Sequence, residues 1–305
     1  MKKVLRIVRF GAIAVAIGII VLSVWSFAVE PQLVVIRRHE IELAGWPEKF
    51  DGYRVMLVSD IHDFPNPRFP GKLRRVLDAV GREHPDLILL LGDSTCLMPE
   101  RGDDESFPEL RKFVASLHAP DGVYAVLGNH EIWRGRGLVA AATVAGGAKM
   151  LENRYVTIRR GDSSFRLGGL PDRMTGEPFD NAKITRGMAP GEVLLLAAHE
   201  PDSLLTSPDA ALMFSGHTHG GQIRLPGVGS VLALFSKKPP PEEKALGFHP
   251  YLNTYQSKLV YVSCGLGGDR ITARLFCPPE INVITLRAPG RAKDPLPVRK
   301  AWRRN

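Results

Sequence analysis

Five short apolar runs in this chain share one pattern. Each stops at a small group of carboxylate, carboxamide or imidazole side chains. Arg54–Val58 runs into Ser59-Asp60-Ile61-His62, and Asp86–Leu91 into Gly92-Asp93. Val123–Leu127 ends at Gly128-Asn129-His130-Glu131, Val193–Ala198 at His199, and Ala210–Phe214 at Ser215-Gly216-His217-Thr218-His219. Continuous apolar runs of this length, bounded by turns, suit strands covered on both faces. Open α/β sheets bind ligands at the carboxyl ends of their strands. The pattern therefore lines one edge with Asp60, His62, Asp93, Asn129, His130, His199, His217 and His219.

Each of these residues alone has an ordinary structural reading. Asp60 or Asp93 can cap the following turn, and Asn129 can occupy a left-handed turn. His199 can be a hydrogen-bonded core histidine, and His217 and His219 a solvated pair. Their shared position weighs against five such accidents. Five of the nine histidines fall in the set; His39, His84, His118 and His249 do not. His217 and His219 lie two apart, so in an extended segment they point the same way. The glycines around them let the backbone bend closely.

Helical patterns separate the early runs. Leu73, Val76, Leu77 and Val80 recur at helix spacing within 72–84. Residues 107–118 and 137–147 read similarly. Strand–helix alternation predicts an α/β domain. Beyond residue 150 strands predominate, at 155–159, 165–170, 259–263 and 281–286, which predicts a second sheet packed on the first. Residues 237–244 read as a proline-rich loop.

A chain of 305 residues with 44% apolar content has enough core for one large domain or two small ones. The net charge of +8 is unevenly placed: +4 over residues 1–29, +6 over 287–305 and −2 between. That balance argues against a nucleic-acid-binding face and favours ends that lie near anionic lipid. Three cysteines, Cys96, Cys264 and Cys277, give no disulfide framework, although a Cys264–Cys277 bridge is allowed.

Lys2, Lys3, Arg6 and Arg9 precede residues 11–29, which carry no charge. As a helix this stretch spans roughly 28 Å, enough to cross a hydrocarbon core. Trp25 near its far end suits a membrane interface. A signal peptide cleaved near Ser26-Phe27-Ala28 is the alternative; the length favours an uncleaved anchor. The leading positive charges keep the N-terminus cytoplasmic and place the large domain outside the cell membrane. The expected organisation is a basic region 1–9, a transmembrane anchor 10–29, a connecting segment 30–50, a catalytic domain 51–287 and a basic disordered tail 288–305.

The order D-x-H (60–62), G-D (92–93), G-N-H-E (128–131), a single H (199) and G-H-T-H (216–219) resembles the calcineurin-like metallophosphoesterases, from residue 53 to about 286. G-H-T-H-G-G-Q-I-R-L-P, Y-V-S-C-G-L-G (261–267) and C-P-P-E-I-N-V-I-T-L (277–286) resemble more narrowly the membrane-associated bacterial phosphodiesterases typified by YaeI and YkuE. The resemblance implies a four-layer α-β-β-α sandwich of two mixed sheets, preceded here by one transmembrane helix. It implies two divalent ions, Mn, Fe, Zn or Mg, which suit mixed nitrogen and oxygen donors. Asp60, His62 and His219 then hold one ion, Asn129, His199 and His217 the other, and Asp93 bridges them. It further implies phosphodiester hydrolysis by a metal-bridged hydroxide, with His130 assisting the leaving group. A lipid or nucleotide phosphomonoesterase and a non-catalytic metal-binding envelope protein are the alternatives. The implied substrate is a phosphate ester, with a lipid or cell-envelope component favoured by the anchor. Arg134, Arg173 and Arg270 are candidate phosphate-binding residues by their chemistry.

Two departures stand out. Phe64 replaces the glycine of D-x-H-x-G, which predicts a different closure of that loop over the pocket. Cys96 stands where G-D-x-x-D ends in aspartate, which opens the question of metal preference.

Overall fold

The computed structural model describes residues 2–64, 70–96, 106–231, 250–268 and 272–300. The chain opens with α1 (Lys2–Val24), whose side chains beyond Lys2 are exposed along its length. It is the one helix among the described residues that is long and apolar enough to cross a membrane. The chain then alternates: β1 (Val35–Glu42), β2 (Tyr53–Val58), α2 (Pro70–Glu83), β3 (Leu87–Leu90), α3 (Pro108–Ala115), β4 (Val123–Ala125), α4 (Asn129–Ala145) and β5 (Lys149–Met150). The second half is mostly strand: β6 (Arg154–Arg160), β7 (Ser163–Gly169), a short α5 (Asn181–Thr185), β8 (Val193–Ala197) and β9 (Leu212–Ser215). A small hairpin of β10 (Arg224–Leu225) and β11 (Gly229–Ser230) follows, then β12 (Tyr251–Tyr255), β13 (Lys258–Val262), β14 (Glu280–Arg287) and β15 (Arg299–Lys300).

Two mixed sheets form, in the order β1-β14-β2-β3-β4-β5 and β15-β12-β13-β9-β8-β7-β6. The apolar runs explain their stacking. Along β2, Val55 and Leu57 point into the layer between the sheets, and Met56 and Val58 into the layer under the helices. The inter-sheet layer takes Leu87, Leu89, Ile284 and Leu286 from one side and Phe165, Leu167, Leu195 and Phe214 from the other. Leu73, Val76 and Ala79 of α2, Leu110, Phe113 and Val114 of α3, and Val139 and Ala142 of α4 cover the first sheet's outer face. Ile184 of α5 and Leu204 cover the second, against Leu194, Leu196, Met213 and Val262. The result is the expected α-β-β-α sandwich of two mixed sheets. Each fully buried leucine or phenylalanine contributes about 1.5–3 kcal/mol relative to exposure.

Three placements differ from the sequence reading. Residues 281–286 belong to the first sheet, where β14 lies between β1 and β2. Its apolar run satisfies either sheet, so periodicity alone did not choose. Part of the expected connecting segment is β1, paired in parallel with β14 from Val35↔Glu280 to Glu42↔Arg287. Residues 288–300, expected as a disordered tail, return along β1 instead. The Ala292 and Lys293 amides donate to Glu42 and Glu40, Leu296 N donates to Glu40 O, and β15 pairs with β12. The proline-rich stretch 237–244 lies outside the described residues.

Candidate metal centre

The polar residues sit where β2, β3, β4, β8 and β9 run out, as the pattern of runs demands. The chain reverses there within one or two residues, and the backbone shows it. Asp60, His62, Asp93, His217 and His219 all have positive φ, between 49° and 69°. Residues other than glycine adopt this region at a cost of order 1–3 kcal/mol, and such strain clusters at functional sites. Two glycines make the convergence fit. A Cβ on Gly216 would run into Ser59 Oγ and Asp60 Oδ2; one on Gly128 would run into Asp93 Oδ1 and lie 2.8 Å from the His199 ring.

Asp60 is fully buried and accepts from Ser59 Oγ at 2.6 Å and from the His217 amide at 3.0 Å. Its Oδ1 lies 3.5 Å from His219 Nε2. His62 Nε2 lies 3.1 Å from His219 Nε2 and 3.6 Å from Asp93 Oδ2. Asp93 Oδ2 also lies 3.2 Å from His199 Nε2 and 3.8 Å from His130 Nε2. On the far side of Asp93, Asn129 Oδ1 is 3.2 Å from His199 Nε2 and 3.1 Å from His217 Nδ1, and those two ring nitrogens are 3.1 Å apart. The structure thus brings all eight sequence-derived residues together. They form two lobes, Asp60-His62-His219 and Asn129-His199-His217, with the Asp93 carboxylate between them. His130 stands at the rim, its ring edge-on to His62 at 4.4 Å and 5.0 Å from Trp133.

The donor chemistry tests whether a metal fits. Backbone carbonyls settle which ring nitrogens carry protons. His62 Nδ1 faces Thr95 O at 3.1 Å, His199 Nδ1 faces Leu91 O at 2.7 Å and His219 Nδ1 faces Gly267 O at 3.3 Å. Each Nδ1 therefore donates, and each Nε2 turns a lone pair inward. His62 Nε2 and His219 Nε2 then meet lone pair to lone pair at 3.1 Å. In the other lobe neutral His199 turns Nε2 towards Asn129 Oδ1 and Asp93 Oδ2, two further acceptors. Such a cage lacks positive charge, which divalent ions would supply. Burial pushes His62 to about 3 and His217 to about 4, so both imidazoles keep their lone pairs at neutral pH. Burial disfavours charge on His199, yet the Asp93, Asp60 and Asp172 carboxylates hold its affinity for a proton well above the usual imidazole range. A proton on His199 Nε2 then occupies the place beside Asp93 Oδ2 that a cation would fill. Asp60-His62-His219 and Asp93-His199-His217 each present ligand atoms close enough to share one ion.

Two supporting residues escaped the sequence reading. Glu131, buried at the first turn of α4, accepts from the amides of Asp93 (2.8 Å), Ser94 (2.7 Å), Thr95 (3.1 Å) and Gly128 (2.8 Å). It ties the β3 and β4 loops together; burial, and then Asp93, raise its carboxyl to about 7. The signal was available in G-N-H-E as an acidic residue in a helix's first turn. Asp172, 1% exposed, uses Oδ1 to cap Met174 N, and its Oδ2 has no hydrogen-bond partner among the described residues.

The departures resolve structurally. Phe64 is fully buried and turns into the layer under the helices, 5.8 Å from Phe113, so it does not close over the pocket. Cys96 Sγ donates to His62 O at 2.7 Å and bonds the two ligand-bearing loops to each other. Among the arginines, Arg173 is engaged by Asp202, and Arg134 stacks over Phe107 at 5.9 Å. Arg270 lies outside the described residues. Arg274, not singled out in the sequence, is 1% exposed and donates to the carbonyls of Gly265, Gly267 and Cys277.

Comparison with known proteins agrees with this geometry. The family described as calcineurin-like phosphoesterase matches residues 53–221. The metallophosphoesterase YkuE of Bacillus subtilis is 30% identical over 267 residues, covering 85% of this chain and 87% of YkuE. Phosphodiesterase YaeI of Escherichia coli is 29% identical, covering 84% of this chain and 90% of YaeI. The UDP-2,3-diacylglucosamine pyrophosphatase LpxG of Chlamydia muridarum is 26% identical, covering 86% of this chain and 92% of LpxG.

Proposed function

The chain belongs to the calcineurin-like phosphoesterase family, and from that premise we propose a membrane-anchored phosphodiesterase that works with two divalent ions. Asp60, His62 and His219 hold one ion and Asn129, His199 and His217 the other, with Asp93 shared. Bound there, the ions polarise phosphate oxygens and lower the pKa of water towards about 7, which supplies a nucleophile at neutral pH. The protein's own part is positional. Thr95, Leu91 and Gly267 carbonyls fix the ring tautomers, and Glu131 holds the loops that carry Asp93 and Asn129. The buried, largely preformed cage spends no reorganisation when substrate enters. His130 Nε2, at the rim beside Asp93, delivers a proton to the departing oxygen; assistance of this kind supplies about 10²–10⁴-fold.

A diester is favoured because the activities in the names of YaeI and LpxG both concern a phosphate substituted on two sides. The exposed apolar α1 supports anchoring, and the basic residues in its first turns support a catalytic domain outside the cell membrane. The observation that carries the reading is the meeting of the His62 and His219 Nε2 lone pairs at 3.1 Å in one lobe, with His199 Nε2, Asn129 Oδ1 and Asp93 Oδ2 gathered in the other. The test is metal analysis of the purified chain, followed by chromogenic phosphodiester and phosphomonoester turnover on one preparation. Two bound ions with faster diester cleavage are expected. Absence of bound metal, or turnover indifferent to its removal, overturns the assignment, and faster monoester cleavage overturns the diester preference. For topology, protease protection of residues 51–286 in intact cells overturns the outside placement.

A further inference from the structure

The end of α1 is not joined to the domain by a loose tether. Ser26 is buried, and its carbonyl accepts from Arg274 N at 2.8 Å. Glu30, 4% exposed, accepts three hydrogen bonds: from Trp25 Nε1 at 2.7 Å, Phe276 N at 3.0 Å and Cys277 N at 2.6 Å. Hydrogen bonds to a buried carboxylate are among the stronger ones, and breaking them leaves a desolvated group unpaired. The segment 272–277 is therefore fixed to the last turns of the apolar helix.

The same segment borders the metal centre. Cys277 Sγ donates to His219 O at 3.4 Å. Arg274 donates to Gly267 O at 2.6 Å, the carbonyl that also receives His219 Nδ1. Leu275 N donates to Gln222 O at 3.0 Å, and Arg224 N to Leu275 O at 2.9 Å, so the β10–β11 hairpin is attached as well. Around this joint, large apolar side chains face outward: Trp25, Phe27, Phe276, Leu225 at the end of β10 and Val228 in the turn. Phe276 is 57% exposed and held at φ 52°, where a bulky side chain is costly. A strained backbone that presents an aromatic ring to solvent beside an apolar helix needs a partner on the outside.

We propose that Trp25, Phe27, Phe276 and the tip of the β10–β11 hairpin form a collar that lies in the bilayer interface. The collar seats the His219 side of the metal centre on the membrane. The substrate is then an amphiphilic phosphate ester whose apolar part stays in the bilayer while its phosphate reaches the centre. α1 spans roughly 35 Å, enough to cross the hydrocarbon and leave Trp25 at the far interface, where aromatic side chains favour the headgroup level. No slack between Trp25 and Phe276 means both rings share that level. This inference rests on the phosphoesterase reading and narrows its substrate.

The test uses the full chain, metal-loaded, in vesicles of phosphatidylcholine with phosphatidylglycerol. Turnover of a water-soluble chromogenic phosphodiester is compared with that of a fluorescent phosphodiester bearing acyl chains in the same vesicles. In the Phe276→Ser, Val228→Ser double variant, acyl-ester turnover falls about tenfold, the scale of one lost aromatic contact with the bilayer. Turnover of the soluble ester and metal content stay at the wild-type level. Equal loss on both esters, no loss on the acyl ester, or a wild type that cleaves only the soluble ester each overturns the collar. Cleavage of neither ester by the wild type overturns the phosphoesterase reading, and a second measurement then decides the collar. Phe276→Trp adds emission that brominated acyl chains quench beyond the quenching of the wild type; no added quenching overturns the collar whatever the activity.

Discussion

The two ends of the same strands are built on opposite principles. At the amino ends of β2, β3 and β4, donors meet acceptors. Arg160 Nη2 donates to Asp86 Oδ1 at 2.6 Å, Tyr53 OH to Asp121 Oδ2 at 2.7 Å, and Arg54 N to Asp86 Oδ2 at 2.8 Å. The Arg160 guanidinium lies over the Phe50 and Tyr53 rings at 5.1 and 5.0 Å. Burial, and then the Asp121 charge, hold the Tyr53 phenol far above its usual value, so it remains a donor. At the carboxyl ends, the His62 and His219 Nε2 acceptors face each other and five residues sit in the left-handed region. One end contributes stability. The other stores strain and electrostatic need that bound cations would relieve.

This contrast can be broken most directly at Asp93, the group both lobes share. Asp93→Ala reduces metal-dependent ester turnover to the detection limit, while circular dichroism shows the fold retained. Residual turnover near the wild-type rate would mean the lobes work without their common carboxylate. His130→Gln comes next: kcat falls about 10²–10⁴-fold, with metal content unchanged by elemental analysis. Loss of metal in that variant would move His130 from the rim into the cage.

Glu131→Gln sharpens the comparison. Among the described residues its hydrogen bonds come from loop amides and one hydroxyl, so its effect passes through the ligands. Metal affinity measured by competition with a chelator falls about 10–100-fold, the scale of an outer partner, and saturating metal restores most of the rate. Unchanged affinity would show that the two loops hold themselves. The smallest effect belongs to the opposite end. Tyr53→Phe lowers unfolding free energy by about 1–2 kcal/mol in urea titrations and leaves kcat and KM unaltered. A loss of turnover there would show that the ends are coupled.

Much of this was legible before folding was considered. The runs ending at Asp60, Asp93, Asn129, His199 and Gly216 announced strands and a common edge because both-face burial demands uninterrupted apolar sequence. The G-N-H-E block lies just ahead of the helical pattern at 137–147, whereas α4 begins at Asn129 and turns at Gly135, where φ is 103°. Polar ligands in its first turn hid the helical period. The fate of Phe64 depended on whether a cavity under α3 would accept the ring, which no local pattern encodes. Glu131 was visible as a helix-start acid, but its four amide partners come from two loops separated by more than thirty residues.

By itself, the sequence determined the alternation of strands and helices, the identity of the eight polar residues and the presence of an apolar N-terminal helix. Those depend on local periodicity and on residue chemistry, which a linear chain carries. Tertiary structure alone decided that β14 joins the first sheet, that residues 288–300 return along β1, and that Glu30 fastens the apolar helix to the loop beside His219. Each of those is a pairing across some 200 residues or more, chosen by shape and hydrogen-bond partners that exist only once the two sheets have stacked.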